Sequence, residues 1–543
     1  MQPQKLRLGI LLESPEVPAW AARAIQRIQT GDSAEFVLLA LNAGSKADQH
    51  QPFIYSTFDW LDRRLFGRQP DPFAPTGIQS LLPNVPEIGV MPVHGAGGLT
   101  LRASDISAIR EHELDVVVSI CFESLAWENL QLAKYGVWYY YHGDDTRMTG
   151  GPAGFWEVVE GRPETGAALL AAGGEQFDTR VLYRSFFFTY PLSPARQRSY
   201  YFWAAASFLP RQLEYLHRFG ERKFWQSTEE FNWQLSHVVR HYEAPSGLKA
   251  LRAIGTIVRG LLKELWRRVF YLDQWFLLFS QDKGLSNDIR GFEVLRPPKD
   301  RFWADPHIVQ QDGRYYIFVE ELLHGTGKGH LSVIGQDAMR KWQAPVKILE
   351  KSYHLSYPSV FQCDGKYYMV PETGGNHSID LYECVEFPHK WQFKQTLMQD
   401  VRAVDTSLVF HSGKWWLFTG MAENPAAAPN VELFLFYSEQ LLGGQWTAHP
   451  QNPVISDVKR ARPAGAIIQR DGKLFRPSQD CSRMYGYGID LNEIETLSET
   501  EYCERPIIQI RPDWDPEVLA THTFASQDGL TVIDAFRRVR RIG

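Results

Sequence analysis

The feature that most constrains this chain is a unit repeated five times from Phe302 onward: an apolar strand, a turn ending in glycine, and an aromatic strand. It reads ADPHIVQQDGRYYIFVEE from Ala304, YPSVFQCDGKYYMVPET from Tyr357 and VDTSLVFHSGKWWLFTG from Val404. It recurs as RPAGAIIQRDGKLFRPSQD from Arg462 and THTFASQDGLTVIDAF from Thr521. The turn glycines, Gly313, Gly365, Gly413, Gly472 and Gly529, are spaced by 52, 48, 59 and 57 residues. Xaa-Gly between two β-rich runs is a strong hairpin signal, because the primed turns need positive φ. Five four-stranded units at this period predict a five-bladed β-propeller over residues 274–543. The fifth hairpin ends too late to supply two more strands. Trp275–Ser280 and Phe292–Arg296 are therefore expected to close the ring, with strands at about 275–296, and to remove the open edge.

Residues 1–189 have a different rhythm. Short apolar strands at Leu8–Leu12, Phe36–Leu41 and Leu114–Ile120 alternate with helical segments, as in Pro18–Ile28. That alternation implies a mostly parallel sheet with helices on its faces and ligands beyond the carboxyl ends of the strands. Residues 190–273 carry helical periodicity and read as a connector. Within it Leu248, Leu251, Ile254, Ile257, Val258, Leu261, Leu262 and Leu265 form an apolar stripe beside Lys249, Arg252, Arg259, Lys263, Arg267 and Arg268. Such a helix, over 248–270, either lies on an anionic bilayer surface or packs one face on its own protein.

Composition narrows the function. With 57 basic against 63 acidic residues, a net charge of −6, the chain lacks the excess positive charge of nucleic-acid binders. No stretch approaches the length of a membrane span, and Met1–Arg7 runs into a strand without a signal-peptide cleavage pattern. The five cysteines stand far apart, which fits a reducing compartment and neither a disulfide framework nor a zinc site. The expected location is cytoplasmic, with a peripheral position on the inner membrane if the basic helix meets lipid. Aromatic residues are 13% of the chain; they stack on sugar faces, and they also fill cores.

In a propeller the starts of first strands and the ends of second strands crowd one rim. Here that set is Asp305, His307, Glu320, Glu321, Tyr357, Glu372, Asp405, Arg462, Arg476, Gln479, Asp480, His522 and Asp534. Convergent carboxylates push one another's pKa values apart, as acid–base chemistry uses, and the mixture suits a polyhydroxylated ligand. No metal is expected.

This half resembles the five-bladed furanosidase-type glycoside hydrolases, and more closely the N-terminal domain of plant glucosamine inositolphosphorylceramide transferases. The motifs carrying the resemblance are Phe302-Trp-Ala-Asp-Pro306, His354-Leu-Ser-Tyr-Pro358, Val370-Pro-Glu-Thr373, Trp415-Trp-Leu-Phe418, His449-Pro-Gln-Asn-Pro453 and Arg476-Pro-Ser-Gln-Asp480. The hydrolase likeness implies Asp305 as general base and Asp405 as the pKa-tuning aspartate. The general-acid glutamate is expected to open blade four, where the chain has Arg462-Pro463 and no carboxylate. Glu372 or Asp480 could substitute, whereas Arg462 and Arg476 point to an anionic ligand.

The first half resembles the formyltransferase family over residues 6–185. The likeness rests on Tyr135–His142, on Gly143-Asp-Asp-Thr-Arg-Met-Thr-Gly-Gly-Pro152, on Phe155-Trp-Glu-Val158 and on Glu164-Thr-Gly166. It implies a Rossmann-like α/β fold, 10-formyltetrahydrofolate as formyl donor, His142 as base, Asp178 as its partner, and a substrate loop with Asp144, Asp145 and Gly151. Tyr140 stands where the family has the asparagine that stabilises the oxyanion. Together these readings make a protein of cell-surface glycan or glycolipid biosynthesis, taking a sugar nucleotide, glycan or glycolipid. Its first module would formylate or otherwise acylate an amino sugar, and its propeller would bind or process the glycan. The alternatives are a glycosyl transferase or glycoside hydrolase acting through the propeller, and a non-catalytic glycan-binding protein.

Overall fold

The computed structural model describes residues 4–44, 52–95, 98–120, 122, 131–142, 148–174, 177–232, 240–281, 284–424 and 426–541. They form two compact units, Met1–Leu261 and Leu262–Gly543.

The first unit is built on a seven-stranded sheet. Its strands are β1 (Leu6–Leu12), β2 (Ala34–Asn42), β3 (Glu87–Val90), β4 (Val116–Ile120), β5 (Val137–His142), β6 (Glu164–Gly174) and β7 (Phe177–Phe188), in spatial order β7-β6-β5-β4-β1-β2-β3. β1 to β5 are mutually parallel, and β6 runs antiparallel to both of its neighbours. The parallel strands thus take the order 3-2-1-4-5 of doubly wound α/β sheets. β1 and β4 read as unbroken apolar runs because helices cover both faces of the sheet: Ile10, Leu11, Val116 and Val118 are all buried. Its helices of five or more residues are α1 (Ala19–Thr30), α2 (Phe53–Phe66), α3 (Ala103–Arg110), α4 (Phe155–Val159), α5 (Pro194–Ala205) and α6 (Phe208–Asn232), and α7 (Gly247–Phe270) begins here and runs on into the second unit. α1 turns Trp20, Ala21, Ala24, Ile25 and Ile28 inward, a three- and four-residue spacing that puts one apolar face on the core. The segment expected as a separate connector is partly built into this unit. α5 packs on α2, and α6 packs on β7 and α1.

The second unit is a five-bladed β-propeller. Blades one to four are the consecutive sheets 301–349, 356–399, 403–448 and 468–510. In blade five the inner pair, Phe524–Gln527 and Leu530–Arg540, is completed by Tyr271–Gln281 and then Glu293–Leu295, so the ring closes with strands from both ends of the unit. Each blade's first hairpin has positive φ at both turn residues: Asp312-Gly313, Asp364-Gly365, Ser412-Gly413, Asp471-Gly472 and Asp528-Gly529. This is the type I′ turn, whose twist matches the strands it joins. Apolar residues pack between adjacent blades; Tyr368, Val370 and Leu381 of blade two meet Leu417, Phe434 and Phe436 of blade three.

The inner strands carry the irregularity that matters for the site. Pairing slips between Ala304 and His307, between Ser356 and Ser359, and between Val404 and Ser407. At each slip one non-glycine residue takes a left-handed conformation: Asp305 (φ 53°), Tyr357 (φ 46°) and Asp405 (φ 50°). A bulge re-aims a side chain, and a left-handed non-glycine residue costs roughly 1–2 kcal/mol, so surrounding contacts must hold it. All three lie eight residues before their turn glycine, which places them at one level of the axis.

Blade four answers the bulge with Gly465 (φ 138°), where an added Cβ would stand 2.2 Å from the Phe524 carbonyl oxygen of blade five. Gly465→Ala is expected to destabilise the propeller by about 2–3 kcal/mol through that overlap, read as a lower urea midpoint at unchanged slope.

Candidate functional site

Asp305 is the hub of one half of the axial cup. One carboxylate oxygen accepts the Tyr357 backbone N–H of blade two at 3.1 Å. The other accepts the Thr523 hydroxyl of blade five at 3.0 Å and lies 3.0 Å from His522 Nε2. His522 Nδ1 lies 2.8 Å from Asp534, whose oxygens also accept the N–H groups of Asp305, His522 and Thr523. Burial alone would lower the His522 pKa. Asp534 and then Asp305 overcome it and hold the imidazolium up to about 10. For Asp305 burial pulls upward, and His522 followed by the Thr523 and Tyr357 bonds brings it down to about 2. Asp305, His522 and Asp534 are close enough to hold a cation. The protonated imidazole itself supplies the positive charge between the two carboxylates.

The other half centres on Asp405. Its carboxylate accepts Arg462 Nε at 2.6 Å and Gln479 Nε2 at 2.9 Å. Arg462 reaches Glu372 at 3.6 Å and stacks its guanidinium 4.9 Å from the Tyr485 ring centre. Burial, followed by the charge of Asp405, pushes the Glu372 carboxyl well above the usual range, against the pull of Arg462. Burial and the Asp405 charge thus favour the neutral form of Glu372 beside a carboxylate that Arg462 pairs. Tyr485, 46% exposed, stands at the mouth and reaches both halves, its ring 5.4 Å from His522. A third group, Glu320, faces half-exposed His354 at 3.2 Å. Burial and Asp305 raise its pKa while His354 lowers it.

The structure brings together Asp305, His522, Glu372, Asp405, Arg462 and Gln479 of the expected set. It removes others from the cup. Glu321 points to the opposite side of its strand from Glu320, where Arg301, Trp303, His330 and Ser332 all donate to it. Arg476 is fully buried and bound through two nitrogens to Glu504, at 2.7 and 2.6 Å, so it grips no external anion. Asp480 accepts the Ser482 N–H and pairs with Arg511, so it offers no replacement acid. Tyr357 is a strut: its hydroxyl takes the Gly465 N–H at 2.7 Å and meets Ser407 at 2.8 Å, tying three blades together. With Arg476 bound to Glu504 and Arg462 paired to Asp405, both guanidinium groups expected to grip an anionic ligand are engaged within the protein. Sequence reasoning does not single out His354 or Tyr485. His354 opens the His-Leu-Ser-Tyr-Pro motif, and Tyr485 lies in a loop outside the repeat. A cavity of about 930 Å³, lined by His307, Phe361, Trp415 and Gln469, opens at the hairpin-turn end of the axis, opposite the cup.

In the first unit Tyr140 and His142 lie side by side, but the strand position of Asp178 is far from theirs. Asp178 lies opposite Gly173 on β6, whereas His142 pairs with Ala167 and Ala167 with Ser185. Seven strand residues, roughly 23 Å, separate the two positions along β7. His142 instead stacks on Phe202 at 3.9 Å beside Tyr140, Trp20 and Tyr201. Its Nδ1 is buried without a hydrogen-bond partner among the described residues, and burial takes its pKa down to about 3, so it is a poor proton acceptor. The Tyr140 hydroxyl accepts the Leu209 N–H. Gly151 takes φ 72° in a turn where the Trp156 and Tyr242 side chains crowd its Cβ position, which accounts for the glycine locally. Asp144 and Asp145 lie outside the described residues. So placed, His142 is a poor base for formyl transfer from 10-formyltetrahydrofolate.

Fold and cup define a five-bladed β-propeller whose axial end gathers buried carboxylates, an imidazolium and a guanidinium from separate blades. Residues 296–512 match the family model described as glucosamine inositolphosphorylceramide transferase 1, N-terminal. Over 209 residues, 38% of this chain, it is 35% identical to glucosamine inositolphosphorylceramide transferase 1 of Oryza sativa subsp. japonica and covers 28% of that protein. Over 206 residues, 37% of the chain, it is 33% identical to the Arabidopsis thaliana protein of the same name, 27% of which is covered. The chain thus spans little more than a quarter of the length of these relatives. Among solved structures, a mutant form of the GH43 protein BlXynB from Bacillus licheniformis aligns with 46% of this chain and 59% of its own, at 16% identity and a TM-score of 0.32. The blade count rests on the strand pairing.

A group whose folded pKa lies above its unfolded value stabilises fully below the unfolded pKa, and that stability is lost as pH rises through the folded pKa. For His522 the window runs from about 6.5 to about 10. Stability measured by urea unfolding is expected to fall across that window in the natural protein. The fall attributable to this group is absent in His522→Gln, which is less stable at pH 6.

Proposed function

We propose that the propeller cup binds an amino-sugar residue of a glycolipid headgroup during cell-surface glycolipid assembly. The observation carrying this reading is the Glu372–Asp405–Arg462 group beneath exposed Tyr485. An aromatic face beside directional polar groups suits a pyranose, and an acidic lining with its arginine internally paired suits an ammonium-bearing sugar better than a phosphate or uronate. The matching plant proteins are named glucosamine inositolphosphorylceramide transferase 1, and the amino sugar and glycolipid in that name support this reading. A second reading, cleavage or transfer at a glycosidic bond, is favoured by Glu372 alone: a carboxyl kept protonated beside a carboxylate is what a general acid requires. Asp305 fits the general-base role poorly, since three donors from two blades already occupy its oxygens.

Isothermal titration separates these readings. D-Glucosamine is expected to bind, with N-acetylglucosamine and inositol 1-phosphate weaker by about tenfold or more, the scale of a lost charge-assisted hydrogen bond. Asp405→Asn is expected to abolish the preference for the free amine, and His142→Ala to leave it intact. Equal binding of all three ligands, or none, overturns the proposal. Release of nitrophenol from aryl glycosides by the natural protein and its loss in Glu372→Gln would establish the second reading.

A further inference from the structure

We infer that α7 is a docking surface for a bilayer containing anionic phospholipid, a property separate from sugar recognition in the cup. The helix buries only one side: Ala250, Ala253 and Ile257 face inward. Leu248, Leu251, Gly255, Val258, Leu262, Leu265 and Val269 follow one another at alternating three- and four-residue steps, which puts them on one stripe, and every one is exposed. Trp266 and Phe270 widen that stripe and are also about half exposed. A continuous apolar band of this length left uncovered on a 24-residue helix marks an interaction surface.

Charge identifies the occupant. Lys249, Arg252, Arg259, Lys263, Arg267 and Arg268 share the helix with a single acid, Glu264, which is bound by Arg267 and Arg268; Arg267 also pairs with Asp273 just beyond the helix. A second copy laid along the stripe would bring like charges together, with no free acid on the helix to pair them. An anionic lipid surface instead attracts the basic residues, while Leu262, Leu265 and Trp266 enter the boundary between headgroups and acyl chains. No helix among the described residues is long and apolar enough to cross a membrane, so the contact is one that lies along the surface. Beside it α2, which meets α7 where Tyr55 and Phe58 pack near Ala253, leaves Phe53, Trp60 and Leu65 exposed among Arg63, Arg64 and Arg68.

The test is flotation of the full chain with vesicles of phosphatidylcholine, with and without phosphatidylglycerol, at low and high salt. Binding is expected only to the anionic vesicles and is expected to weaken with salt. Arg259→Ala/Lys263→Ala is expected to lower the partition about tenfold or more, and Leu262→Glu/Trp266→Glu to abolish it. All four residues are exposed, so far-UV dichroism and glucosamine titration should not change. Equal partition onto both vesicle types, no flotation at all, or a lipid-independent dimer by light scattering that Leu262→Glu/Trp266→Glu dissociates would overturn the inference. Glucosamine binding without flotation would refute the docking surface alone, and flotation without glucosamine binding would refute the cup alone.

Discussion

Asp305 holds the propeller together at its centre. Sitting in a left-handed kink of blade one, it receives a backbone N–H from blade two and a hydroxyl and an imidazolium from blade five. Burying one carboxylate without partners would cost several kcal/mol; buried among these donors it becomes the joint across which three sheets are registered. The chemistry of the cup depends on that joint. His522 carries its positive charge because Asp305 and Asp534 flank it. Tyr485, leaning toward both His522 and Arg462, spans the two halves that the joint keeps apart.

A polar centre of this kind sorts carboxyl groups by environment. Asp305, saturated with donors, stays ionised. Glu372, buried beside the charge of Asp405 with one distant guanidinium, is pushed toward its neutral form. The two carboxyl groups of one cup are thus driven toward opposite ionisation states, Asp305 as an internally satisfied anion and Glu372 toward the neutral acid. The bulges make this possible, because an unbroken inner strand would alternate its side chains into the blade-to-blade packing instead of toward the axis.

The propeller is legible from sequence because its signals are local. The Asp-Gly and Ser-Gly turns dictate backbone signs that only one hairpin type satisfies, and their spacing counts the blades. The cup is legible in part. Asp305 and Asp405 share an eight-residue offset from their turn glycines, so the repeat itself finds them. Arg476 and Glu321 share the rim position in sequence but not in space, because their partners, Glu504 for one and His330 with Ser332 for the other, lie on other strands of their blades whose pairing no local pattern reveals. The first half fails differently. Tyr140-Tyr-His142 and Asp178 match a spacing, yet the antiparallel return through β6 and β7 carries them to opposite ends of the sheet. Spacing along a chain says nothing of register when a hairpin intervenes.

Blade five has a consequence for how the molecule is made. Tyr271–Gln281 must pair with Leu530–Arg540, about 250 residues further along. During translation the earlier strand can meet Glu293–Leu295 at once on one edge, but its other edge stays unmatched while four complete blades are synthesised. Few contacts in the protein span so much chain, and loops of that length close late. Until they do, a bare strand edge is open to pairing with the wrong neighbour. Nascent chains should thus be most in need of chaperones in the interval before residue 530 emerges.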